Sequence, residues 1–93
     1  MKQVKFDFER IGTMEDFYLV AKRELELTEH FGKNLDALWD SITGDIALPL
    51  SVQFVNLSMT QLETFEKLIS LFEEAGEELG GDFAFEYYLK PMY

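Results

Sequence analysis

Asp36 and Asp40 stand four residues apart, with Thr43 three further on, in a stretch whose apolar residues recur at helical spacing. Residues three and four apart are neighbours on a helix surface, so these side chains fall together on one face. Two carboxylates on a rigid face can exchange protons, hold a cation or present negative charge to a positive surface. Acid–base work needs carboxylates whose surroundings drive their pKa values apart. A chain with 18 Asp and Glu contains close acidic pairs everywhere, so this pair is weak grounds for catalysis. His30 is the only histidine and there is no cysteine, which excludes a histidine pair, a thiol nucleophile and a thiolate metal site. Ser41, Ser51, Ser58 and Ser70 lie in no nucleophile-elbow context. Gly80-Gly81 precedes a strand pattern rather than a helix, so it is not a phosphate loop, and no Asp-x-Asp-x-Asp-Gly calcium loop occurs. The chain reads as a non-enzyme that needs no cofactor and no metal.

Negative charge is the remaining use of these acids, and the composition agrees with it. The formal net charge is −10, from 8 Lys and Arg against the 18 acids. Such a chain repels phosphate backbones and anionic bilayers, which argues against nucleic acid and membrane surfaces as partners. Solubility alone, or a basic protein partner, is left. Met1 to Glu9 alternates instead of forming a signal peptide, and no apolar run reaches the ~18 residues of a membrane span. With no cysteine either, the expected location is the cytoplasm, and a monomer is the default oligomeric expectation.

The elements that must position the acids follow from periodicity. The alternation of Val4, Phe6 and Phe8 with charged residues predicts a strand over about 2–8. Thr13 can cap a helix over about 14–26, with Phe17, Val20, Ala21 and Leu25 on one face. A loop around Gly32 spans 28–33. Asn34 caps a short second helix, with Leu35, Leu38, Trp39 and Ile42 in one stripe and Gly44 just past its end. Leu50 to Val55 is a compact strand pattern after Pro49. From Ser58 to Leu79 the pattern is helical, as one helix or as two with a bend near Glu63–Thr64, and Phe83 to Leu89 alternates as a last strand. At 47% hydrophobic residues, the 93 residues suffice for one domain and one core, spanning 1–93. The order predicts an α/β fold, a small three-stranded parallel sheet packed with helices, with right-handed crossovers and a strand order left open.

The segment His30-Phe31-Gly32-Lys33-Asn34-Leu35-Asp36-Ala37-Leu38-Trp39-Asp40-Ser41-Ile42-Thr43-Gly44 resembles the signature of the barstar family, inhibitors of the secreted bacterial ribonuclease barnase. The likeness is close over this loop and helix. It is looser over the rest, through the element order, Pro49-Leu50 before the middle strand and the acidic late helix. The resemblance implies a three-layer α/β fold and inhibition of a basic ribonuclease by docking the loop–helix surface, about 28–45, into its active site. Asp40 then corresponds to the central acid that stands in for a substrate phosphate, and Asp36 to a second acid on the same face. Trp39, Asn34, Gly32 and Thr43 match contact positions. Glu74 and Glu78, or in the neighbouring register Glu73 and Glu77, match acids on the last helix.

Departures from the pattern imply a cognate nuclease other than barnase. His30 replaces a tyrosine, Asp45 stands where an aromatic contact is expected, the family's cysteines are absent, and the chain ends in an added Lys90-Pro91-Met92-Tyr93. Without the resemblance, Asp36 and Asp40 read as solvated carboxylates, Trp39 equally as core, His30 as an exposed loop residue and the late glutamates as a solvated helix face, with Phe31 anchoring the loop. The alternative function is an acidic adaptor of the same fold whose basic partner is not a ribonuclease.

Overall fold

The computed structural model describes residues 1–91. Its elements are β1 (Lys2–Asp7), α1 (Met14–Glu24), α2 (Leu35–Gly44), β2 (Leu50–Leu57), α3 (Met59–Thr64), α4 (Glu66–Leu79) and β3 (Phe83–Leu89), with a 3₁₀ turn at Gly80–Asp82 before the last strand. Their order is the one read from periodicity, and their ends differ by a residue or two. The chain is an α/β protein built on a small parallel sheet.

Polar side chains start the helices where the sequence predicts. Thr13 Oγ1 accepts from the Asp16 N–H at 3.1 Å, and Asp16 Oδ2 accepts in return from the Thr13 N–H at 3.2 Å. This reciprocal pair satisfies donors that the first helical turn leaves open. Ser58 and Gln61 repeat the arrangement at α3. Gly44 differs from expectation: it is the last residue of α2, and Asp45 closes the helix in a right-handed conformation, so no left-handed glycine is required there. A positive φ appears instead at Gly80, after α4, at φ +62° and ψ −137°, an extended conformation open to glycine.

The late helical region is two helices, broken at the fully buried Phe65. The cause is a tether that periodicity does not encode. Gln61 Nε2 donates to the carbonyls of Phe8 and Ile11 at 2.8 and 2.9 Å, which holds α3 to the loop after β1. α4 instead follows the sheet.

The strands run parallel in the order β1-β2-β3. Rows Val4–Val52–Phe85 and Phe6–Phe54–Tyr87 share one face, and Lys5–Gln53–Glu86 lies on the other. Phe17 of α1 lies 4.8 Å from Phe6, Phe72 of α4 lies 5.1 Å from Phe54, and the two helical rings meet at 6.1 Å. Both helices therefore cover the same face. The alternation of buried Val4 and Phe6 with exposed Gln3 and Lys5 is the local imprint of that one-sided cover, because a sheet buried on both faces reads as a continuous apolar run. With both crossovers over one face, both have the same hand.

One irregularity interrupts the ladder. Pairing between β2 and β3 shifts between Phe54 and Leu57, and Asn56 there adopts φ +61°. Asparagine tolerates this left-handed conformation better than most residues. Its amide donates to Asp7 Oδ1 at 3.1 Å, and the Glu9 N–H donates to the same oxygen at 3.0 Å. These bonds, first Asn56 and then Glu9, hold the Asp7 carboxyl below its ordinary pKa. Among the described residues, no helix is long and apolar enough to cross a membrane.

Candidate functional site

The loop before α2 is built to be stiff. Phe31 is buried, its ring edge-on to Tyr18 at 5.9 Å, and its N–H donates to the Thr28 carbonyl at 3.1 Å. At Gly32 the chain folds back onto the first turn of α2. A β-carbon there would sit 3.2 Å from Ala37 Cβ and 3.4 Å from Asn34 Nδ2, so the position tolerates a side chain only if its neighbours yield. Lys33 adopts φ +48°. Asn34 then uses both ends of its amide: Oδ1 accepts from the Ala37 N–H at 2.8 Å, and Nδ2 donates to the Gly32 carbonyl at 3.1 Å.

Burial sets the rotation of α2. Leu38 and Ile42 are fully enclosed and Ser41 is buried beside them, which turns Asp36 and Asp40 outward, exposed and one turn apart. Asp36 sits in the first turn, where the helix end is electrically positive. Asp40 has no such support, and like charges at this spacing repel. Thr43 is half-buried and donates its hydroxyl proton to the Trp39 carbonyl at 2.7 Å. Asp45 is exposed at the negative end of the helix, whose last turn holds no cation. His30 and Gly32 are exposed in the preceding loop.

α2 packs on α4, and a groove of about 310 Å³ opens between them. Asp36 and the half-buried Trp39 form one wall; Glu66, Ser70 and Glu74 form the other. Leu35 and Leu71 lie at its base, with Lys67 at its edge. Glu74 thus shares a groove with Asp36 and Trp39, whereas Glu73 is absent from its lining. Glu78 is exposed one turn beyond Glu74 on the same row. Trp39 both packs on the core and lines the groove.

Sequence reasoning missed Leu35, Glu66, Lys67, Ser70 and Leu71 as parts of this surface. The spacing of Glu66, Ser70 and Glu74 by one turn was a usable signal, but only once the start of α4 was known.

The acids of this surface have no salt-bridge partner among the described residues. Among the described residues the salt bridges are Lys2–Glu26, Arg23–Glu24 and Lys90–Glu9, none of which touches α2 or α4. The last turn of α4 holds Glu77 and Glu78 and no basic residue, against the direction its dipole favours. No group of three or more His, Asp or Glu side chains among the described residues is arranged to hold a metal ion. The arrangement therefore offers a fixed, net negative surface, with Lys67 at the groove's edge and the half-buried Trp39 beside Asp36.

Comparison with known proteins gives the lineage. Residues 1–90 match the model of a family described as "Barstar (barnase inhibitor)". The chain is also 38% identical, over 80 residues, to a protein of Bacillus subtilis (strain 168) named "Putative ribonuclease inhibitor YrdF", covering 83% of this chain and 85% of that one. With the match running from β1 through β3 and through the acidic loop–helix segment, the chain belongs to the barstar family.

Proposed function

We propose that this chain is a single-domain, monomeric, cytoplasmic inhibitor that plugs the active site of a basic ribonuclease, one copy to one copy and without a cofactor. One observation carries the reading: Asp36 and Asp40 project, with no salt-bridge partner among the described residues, from the outer face of a helix whose inner face is locked in the core. A ribonuclease must concentrate cations where RNA phosphate binds, and a carboxylate held rigidly can occupy that place without being cleaved. Rigidity matters because little ordering entropy is then lost on docking. The family's description and the relative's name point the same way.

In this reading Asp40 enters the phosphate site and Asp36 supports it. His30, Gly32, Asn34, Trp39, Thr43 and Asp45 complete the contact along 28–45, and Glu74 and Glu78 extend it onto α4. Asn34 and Gly32 act chiefly by holding the loop's shape, since the amide is already engaged within it.

The test is RNA cleavage by a panel of small basic ribonucleases, barnase among them, at an equimolar ratio of the chain. Inhibition of at least one is expected. Asp40→Ala should weaken it most, by about 3–5 kcal/mol, a factor of hundreds or more in Ki, because cations on the nuclease are left buried without a partner. Inhibition by Asp40→Ala equal to that of the unaltered chain would refute the assignment. If no nuclease is inhibited and a captured basic partner has no nuclease activity, the chain is an acidic adaptor instead.

A further inference from the structure

The two edges of the sheet are guarded differently. β1, on one side, carries Lys2 and Lys5, the kind of charge that discourages another chain from pairing there. β3, on the other side, ends in Tyr87, Tyr88 and Leu89, which are 43%, 50% and 49% exposed. Three large apolar side chains in succession on an edge strand invite pairing. No strand lies beyond β3 among the described residues. Just past it, the Lys90 N–H donates inward, to the Leu57 carbonyl at 2.8 Å. Successive residues of a strand turn their N–H and C=O to opposite sides, so Tyr87 and Leu89 present theirs outward. Glu86 and Tyr88 share the open face of the sheet, where the Tyr88 hydroxyl donates to the Glu86 carboxylate.

We infer that the β3 edge pairs with a second copy of this chain, the two strands running antiparallel about a two-fold axis at Tyr88. The edge is self-complementary in this register. Tyr87 stands opposite Leu89 of the second copy, and Leu89 opposite its Tyr87. In both pairs the outward N–H and C=O groups can exchange two bonds. Tyr88 meets its own counterpart in the closer, non-hydrogen-bonded kind of pair, which favours contact between rings. Glu86 then faces Lys90 of the second copy at each end of the contact, and opposite charges directly across a strand pair attract. Lys90 can turn to it cheaply, because its 3.5 Å contact with Glu9 is a surface ion pair with both side chains half exposed. An axis at Glu86 would set two glutamates against each other, and one at Tyr87 would leave Glu86 opposite a tyrosine. Pro91, which has no N–H, ends the pairing. So short a contact gives a weak dimer, with a dissociation constant on the order of 100 μM, and the single chain stays the inhibiting unit at dilute assay concentrations. Each copy carries a net charge of −10, which opposes association until salt screens it. The inference goes beyond the inhibitor reading and does not depend on it.

Sedimentation velocity on the full chain tests it, over about 10 μM to 1 mM protein and at about 20 and 300 mM salt. The average mass should climb toward that of two chains, and the dissociation constant should fall about threefold at the higher salt, the reverse of docking on a basic nuclease. Glu86→Lys alone and Lys90→Glu alone each oppose like charges at both ends of the contact and should weaken association about tenfold. Both side chains are exposed, so the melting temperature should not move in either variant. Mixing the two single variants, or joining both changes in one chain, makes every opposing pair unlike again and should restore association. A mass that stays at one chain throughout would overturn the inference. So would a dimer untouched by either single reversal, which would belong to another face, or a mixture that associates no better than its two components.

Discussion

Neutralising the acids of the α2–α4 surface should make this protein more stable and a poorer inhibitor at once. Asp40→Asn removes repulsion with Asp36 one turn away, about 0.2–0.5 kcal/mol. Glu78→Gln removes the same repulsion with Glu74 and also takes a negative charge out of the last turn of α4, which adds about 0.3–1 kcal/mol. Neither acid has a salt bridge to lose among the described residues. Each amide has nearly the helix propensity of its acid, so the exchange isolates charge. The residues lie on different helices and the gains should nearly add, giving the double variant about 0.7–2 kcal/mol at low ionic strength. For a domain of this size that is a rise in Tm of roughly 3–15 °C. Thermal unfolding followed by circular dichroism at about 10 mM and 1 M salt reads it directly, because screening at the higher concentration should erase most of the difference. An unchanged or lower Tm at low salt would refute the reasoning, as would a gain of equal size in both salts. Charge that is retained against stability is what a functional surface predicts.

The other expectations use the same measurements. Gln61→Glu keeps the shape of a side chain that ties α3 to the Phe8 and Ile11 carbonyls but replaces its donor with a carboxylate facing two oxygens; a loss of about 3 kcal/mol in urea unfolding is expected, and a loss below about 1 would refute the tether. Asp7 has its folded pKa depressed by Asn56 and the Glu9 N–H, so its contribution is present above the unfolded value, near 4, and is lost as pH falls through the folded one. Asp7→Asn should therefore destabilise at pH 7, with the gap to the unaltered chain closing below about pH 4. The association rate with an inhibited nuclease should fall steeply with ionic strength in stopped-flow measurements, and a salt-independent rate would remove electrostatic steering.

Local chemistry made most of the architecture readable. Thr13, Asn34 and Ser58 announce helix starts because each cap bonds within three residues, and the Val4/Phe6 alternation marks a strand because side chains alternate every residue. The shared outward face of Asp36 and Asp40 follows from their spacing together with the burial that Leu38 and Ile42 imply. What stayed hidden depends on neighbours distant in the chain. The strand order, the break at Phe65 enforced by Gln61 reaching back some fifty residues, and the choice of Glu74 over Glu73 opposite Asp36 all arise from contacts between elements. Helical periodicity tells which residues share a side of α4; how that side is turned toward α2 is set by the packing of Leu68, Leu71 and Phe72 into a core that exists only once the sheet has formed.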